Sequence, residues 1–172
     1  LKLAEKYGAA LHRNEPVLGF EVSAGRDRVT VRTATNEYEA EKIIVATGPC
    51  MRKLFPEYAS SLKIFRQVLF WFDVEGSIER YKSNRFPIFI WTGGKNINLL
   101  YGFPAIDGQN GGVKVATEKY ETAIDTLDDV IHKVSATEIE QMQKHVLRLI
   151  PGLSGKCVKT ASCVYTVTPD SR

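Results

Sequence analysis

Two hydrophobic periodicities alternate along the chain and divide it into elements. Leu1, Leu3, Ala4 and Tyr7 follow the three-and-four spacing of a helix, and Gly8 is placed to end it. From Val17 the period falls to two, which reads as a β-meander. Its runs are Val17–Val22, then Arg28–Thr33 with Val29 and Val31 on one face, then Tyr38 leading into Lys42–Ala46. Gly25 and Asn36 stand where the hairpin turns are needed. Ile43-Ile44-Val45-Ala46 is apolar without a break, the pattern of a strand buried on both faces, and Thr47-Gly48-Pro49 ends it. A short helix is expected near Met51–Phe55.

Beyond that loop the strands lengthen and become aromatic. Ile64–Val74, Pro87–Trp91 and Asn98–Phe103 are expected strands, with Gly93-Gly94 as the turn between the last two. Val113–Ala116 is a short strand after the glycine-rich loop Gly108–Gly112. The clearest helix is Ala136–Ile150. Ser135 and Glu138 form a capping box, because hydroxyl and carboxylate can satisfy free amides of the first turn. Ile139, Met142, Val146 and Leu149 line one face, and Pro151-Gly152 closes the helix. Lys159–Val167 is a further strand. The fold class is α+β, with a mixed, largely antiparallel sheet and flanking helices. Two domains are expected: 1–49, a helix, meander and buried strand, and 50–172.

Composition narrows the partners. Of 172 residues, 44% are hydrophobic and 25% charged, the balance of a globular protein. The net charge is +3, without a concentrated basic stripe, which argues against nucleic acid. The runs Val68–Phe72 and Ile88–Trp91 fall far short of the roughly 20 apolar residues a membrane helix needs. Cys50, Cys157 and Cys163 show no CxxC spacing, so neither zinc nor a disulfide framework is indicated, and a reducing, cytoplasmic compartment is expected. His12, His132 and His145 have no ligand spacing, and His145 is expected at a solvated edge of the long helix. No GxSxG, HExxH or P-loop occurs.

Four short motifs carry candidate chemistry, and each has a plain structural alternative. IIVATG at Ile43–Gly48 ends a strand in small residues, which lets backbone approach a flat or phosphorylated ligand; a buried strand with a tight turn reads the same way. Arg66-Gln67 heads an aromatic strand and could orient a ligand, or could be the polar edge of a core strand. Lys114 alternates with Val113 and Val115, so it faces away from them, toward either a cavity or water. Cys163 is either an inert buried thiol or a nucleophile for cofactor attachment.

Taken in order, IIVATG, RQV with its following WF, YGFP at Tyr101–Pro104, GGVKVA at Gly111–Ala116 and CVYTVTPD at Cys163–Asp170 resemble the flavin-dependent amine oxidases of the sarcosine and N-methyltryptophan oxidase type. The resemblance runs over essentially the whole chain. It implies FAD as cofactor, bonded through sulfur at Cys163, with Lys114 activating dioxygen and Tyr101 beside the substrate amine. It also implies that Val17, Gly48 and Arg66 lie on the cofactor side. The implied reaction converts a secondary amine or N-methyl amino acid to an imine and dioxygen to hydrogen peroxide. The small amine and dioxygen are then the partners, with neither nucleic acid nor membrane, and the enzyme is expected to be monomeric.

Two positions depart from the pattern. Glu118 stands where sarcosine oxidase has a histidine, and Cys50 where an aromatic residue is common. Both lie toward the substrate, which puts sarcosine itself in doubt. The resemblance also implies an opening GxGxxG unit and a glycine-rich closing segment, and neither is read here. The chain is therefore expected to be a piece of a longer protein, with 1–49 the remnant of its FAD-binding domain. Such a piece alone is expected neither to retain FAD tightly nor to turn over substrate. Two alternatives stay open: a non-catalytic binding module descended from such an oxidase, and a flavin amine dehydrogenase.

Overall fold

In the computed structural model the described residues are 1–94, 97–108, 110–118 and 123–170. They form two compact units, Leu1–Glu57 and Tyr58–Arg172. The division falls after Glu57, within the short 3-10 helical stretch Pro56–Ser61, rather than after Pro49.

The first unit opens with helix α1, Lys2–Lys6, and Gly8 takes the left-handed φ of +91° that ends it. Strands β1 (Val17–Val22), β2 (Val29–Thr33) and β3 (Glu37–Ala40) pair antiparallel in sequence order. The β1–β2 turn closes with Arg26 at φ +57° and a Ser23 hydroxyl bonded to Asp27 at 2.6 Å. A polar cluster ties the preceding segment to the hairpin. The Glu15 carboxylate accepts from Asn36 Nδ2 at 2.7 Å, Thr33 Oγ1 at 2.8 Å and Tyr38 OH at 2.9 Å. Hydrogen bonds from Asn36 and Thr33 hold its pKa at about 2.

One expectation is corrected here. Residues 43–46 form no strand, and Ile44 is 92% exposed. A strand buried on both faces needs a ladder on each side. β3 ends at Ala40, and the three-stranded sheet offers this run no partner. The chain instead passes through a helical turn at Gly48–Cys50 into α2, Met51–Leu54.

The second unit is built on β4, Lys63–Val74. One edge pairs antiparallel with β7 (Val113–Thr117) and with the two-residue β8 (Ala123–Ile124), too short to show a period. The other edge pairs with β9, which runs from Leu153 to Val167, longer than its alternating part implies. Gly155 at φ +76° absorbs the irregularity in that first stretch. Beyond β7 lie β6 (Ile97–Phe103) and, at the edge, β5 (Phe89–Gly94). Gly93 and Gly94 belong to β5 instead of a turn, and residues 95–96, between β5 and β6, lie outside the described residues. Pro87 precedes the strand, consistent with its missing amide donor.

Helix α3, Ala136–Leu149, covers one face of this sheet. Its capping box forms as the sequence implies: the Ser135 amide donates to Glu138 Oε2 at 2.8 Å, and the Glu138 amide to Ser135 Oγ at 3.2 Å. Met142 and Val146 are buried against Phe70, Phe72, Val113, Val115 and Leu100, with Ile139 and Leu149 packed beside them. Fully burying each such side chain contributes about 1.5–3 kcal/mol, so this layer anchors α3 to the sheet. Among the described residues no helix is long and apolar enough to cross a membrane.

Candidate active site

Strand alternation settles which side chains share the face opposite α3. In an antiparallel sheet, directly opposed residues project to the same side, and the side changes with each step. Trp71 opposes Lys114 on β7 and Lys159 on β9; Phe103 on β6 opposes Lys114. Gln67 opposes Cys163, Phe65 opposes Tyr165, and Tyr101 opposes Ala116. Counting in twos along each strand puts Tyr101, Phe103, Lys114, Gln67, Trp71, Cys163 and Tyr165 on one face, opposite the α3 layer. The three residues expected from sequence, Tyr101, Lys114 and Cys163, are therefore brought together. Each is half-buried, whereas Val113 and Val115 on the covered face are fully buried.

The face has a definite electrostatic pattern. Lys114 Nζ lies 4.8 Å from the Phe103 ring centroid and 5.4 Å from that of Trp71, both within cation–π range. Lys159 Nζ lies 4.5 Å from the same Trp71 ring and 3.8 Å from Asp107. Tyr101 and Tyr165 share a hydroxyl hydrogen bond of 2.7 Å. Burial, then the bond to Tyr165, push the Tyr101 phenol well above its ordinary range, so it stays protonated at any working pH. Burial likewise raises the Cys163 thiol, and the Lys114 ammonium partly offsets this, which marks the two groups as electrostatic neighbours. Cys163 is unbridged. Glu118 follows β7 two residues beyond Ala116, is exposed, and adds to the field on Tyr101.

Gly102 sets how closely the two central strands approach. A Cβ there would sit 2.5 Å from the Phe89 ring and 2.8 Å from the Lys114 carbonyl oxygen. Glycine thus lets β6 press against β7, holding Tyr101 and Lys114 on adjacent strands at close range.

Arg66 is not brought to this face. Neighbours in a strand project oppositely, so while Gln67 faces the site, Arg66 turns toward α3. Its guanidinium donates to Glu138 Oε1 at 2.6 Å, to the Ile131 carbonyl at 2.5 Å and to the Lys133 carbonyl at 3.1 Å. A cavity of about 560 Å³ lies on that same side, lined by Arg66, Phe70, Asp125, Glu138, Met142 and His145. His145 is thus half-buried at a cavity wall rather than at a solvated edge. Val17 and Gly48 belong to the first unit. Val17 opens β1 with its side chain 43% exposed, and Gly48 adopts φ +53° with open space where a Cβ would be.

Sequence reasoning missed Tyr165, Trp71, Phe103 and Lys159 as members of the face. The signal for Tyr165 was present: it stands two residues after Cys163 on a strand. The other three depend on register between strands, which no single run of sequence carries.

Comparison with known proteins gives a consistent family assignment. The family model described as FAD dependent oxidoreductase matches residues 1–172. The chain is 35% identical over 172 residues to monomeric sarcosine oxidase of Streptomyces avermitilis, covering 99% of this chain and 43% of that protein. It is 31% identical over 173 residues to N-methyl-L-tryptophan oxidase of Escherichia coli K12, covering 99% and 43%. The fold superposes on NikD, an unusual amino acid oxidase essential for nikkomycin biosynthesis, with a TM-score of 0.70 at 18% identity, covering 97% of this chain and 42% of that one. The chain thus spans less than half the length of these curated relatives.

Proposed function

The chain belongs to the FAD dependent oxidoreductase family, and from that premise we propose that it supplies the flavin-facing and substrate-facing wall of an amine oxidase. The reaction is oxidation of a secondary amine or N-methyl amino acid to its imine, with dioxygen reduced to hydrogen peroxide. One observation carries the reading: the Cys163 thiol, the Lys114 ammonium and the Tyr101–Tyr165 hydroxyl pair share a single sheet face.

The residues present fit a flavin ring. A broad sheet face, backed by a packed helix, offers an unbridged thiol, an ammonium and aromatic side chains that are half-buried instead of closed into the core. Bound there, FAD would supply the two-electron acceptor for the amine and deliver those electrons to dioxygen. Cys163 would hold the ring through its sulfur. Among the described residues the Lys114 ammonium contacts aromatic faces and no carboxylate. Its charge is therefore free to stabilise the negative charge that develops on dioxygen as it is reduced. This is also why an oxidase is favoured over a dehydrogenase.

Tyr101 and Tyr165 contribute neutral hydroxyls. The α-carbon is oxidised from the unprotonated amine, and the pair can accept from or donate to that nitrogen without bringing a charge beside it. Glu118, at the end of the same face, favours an amine bearing a second positive charge over sarcosine. Within the first unit, the backbone at Val17 and the left-handed Gly48 are assigned to the nucleotide side of the cofactor. The first unit is assigned to the FAD-binding domain and the second to the catalytic one. These roles belong to the whole, longer enzyme in its flavin-loaded form, and that enzyme works as a cytoplasmic monomer.

The test is the Lys114→Met variant of the flavin-loaded protein, followed by stopped flow in two halves. Anaerobic bleaching by a secondary amine should persist, while reoxidation by dioxygen should slow by at least about 100-fold, the order expected when a positioned charge is removed from a low-dielectric site. Unchanged reoxidation would remove Lys114 from the oxygen reaction.

A further inference from the structure

Four side chains stand in one row across four strands: Phe103 on β6, Lys114 on β7, Trp71 on β4 and Lys159 on β9. Aromatic and cationic groups alternate along it. Lys114 is flanked by two rings, and Trp71 by two ammonium groups. We propose that Trp71 is a positioning residue, which with Phe103 holds the Lys114 ammonium over the sheet face in place of a counter-ion, and is itself braced from β9 by Lys159. The proposal rests on the reading of Lys114 given above and extends it to how the lysine is fixed.

A lysine side chain has four rotatable bonds and is ordinarily fixed by a carboxylate. A carboxylate here would neutralise the charge that the oxygen reaction needs. Two ring faces restrain the ammonium by quadrupole attraction, each contact within the range where such pairs are measurable, and leave its full charge in place. Only half-burial is required, which matches the position of both Lys114 and Trp71. The opposite side of Trp71 cannot simply be open, since an indole on a half-covered sheet face would swing between rotamers. Lys159, 4.5 Å from its centroid and tethered by Asp107 at 3.8 Å, occupies that side. The second tryptophan, Trp91, sits on the α3 side and takes no part.

The test uses Trp71→Leu, Trp71→Phe and Lys114→Met, each checked for folding by circular dichroism. With lysines labelled at 13Cε, the Lys114 Hε resonance, identified by its loss in Lys114→Met, should lie upfield through ring-current shielding. Trp71→Leu should move it toward the other lysines, and Trp71→Phe should largely restore it. In the flavin-loaded protein, reoxidation by dioxygen should slow about tenfold in Trp71→Leu and recover in Trp71→Phe, with flavin reduction by amine far less affected. An unshifted Lys114 resonance in the parent protein, or one unmoved in Trp71→Leu, overturns the proposal. Equal slowing in the leucine and phenylalanine variants also overturns it, since a generic packing defect would do that. If Lys114→Met itself leaves reoxidation unchanged, the oxygen role fails, while the resonance arm still decides whether Trp71 holds the lysine.

Discussion

Replacing Arg66 with alanine separates a structural role from a cofactor role at the one expected site residue that the sheet turns away. Three hydrogen bonds are lost, to Glu138 Oε1, the Ile131 carbonyl and the Lys133 carbonyl. A hydrogen bond to a charged group is worth about 1.5–3 kcal/mol when well shielded. Here the Arg66 and Glu138 side chains are 19% and 32% exposed, so solvent weakens each bond. One guanidinium makes all three, and they are not additive. A net cost of about 2–3 kcal/mol is expected, with Glu138 still capping α3 through Ser135. At roughly 2–8 °C per kcal/mol for domains of this size range, the melting temperature should fall by about 4–24 °C. The assay is thermal unfolding by circular dichroism, paired with the alkylation rate of Cys163 in the flavin-free protein at a temperature where parent and variant are both folded. The rate should not change, because Arg66 and Cys163 lie on opposite faces. A variant with unaltered melting but altered Cys163 reactivity or flavin retention would refute this placement of Arg66.

Other consequences concern the face and the first unit. In the flavin-free protein, Lys114→Met removes the influence that lowers the Cys163 thiol pKa, so iodoacetamide should alkylate Cys163 about 2–10-fold more slowly at pH 8, with exposed Cys50 unaffected in the same digest. Gly102→Ala forces β6 from β7 against the Lys114 carbonyl and should cost about 1–3 kcal/mol in denaturant unfolding. The Glu15 pKa is depressed from 4.5 to about 2, so its contribution is complete above the unfolded value, falls away as pH drops below it, and is gone once pH has fallen through about 2. A carbonyl-carbon NMR titration of Glu15 should therefore have its midpoint near 2, and Glu15→Gln should remove that acid-range dependence of the first unit's stability.

The parts of the fold legible in sequence are those whose stabilisation is local or strictly periodic. Ser135 and Glu138 announced α3 because a capping box is made within four residues, and Val113-Lys114-Val115 announced its own sidedness because alternation needs no partner. Ile43–Ala46 failed for the complementary reason. Its apolar run specifies burial, but burial of a strand is granted by neighbouring strands, and the meander offers none. Arg66-Gln67 was read as a unit, whereas adjacent strand residues face opposite ways, and Arg66 bonds to Glu138 on the α3 side. Three residues of the candidate face, Tyr101, Lys114 and Cys163, were picked out by motif order, and the register puts them on one side of the sheet. The row Phe103, Lys114, Trp71, Lys159 was not, because it exists only once four strands, distant in sequence, take their register.

The most direct check on the whole account is acid precipitation of the flavin-loaded protein beside its Cys163→Ser variant. If the thiol at 163 shares its face with the cofactor ring and bonds it, yellow colour and flavin absorbance should stay with the parent pellet and pass to the supernatant in the variant. Flavin released equally from both, or retained equally by both, would contradict it.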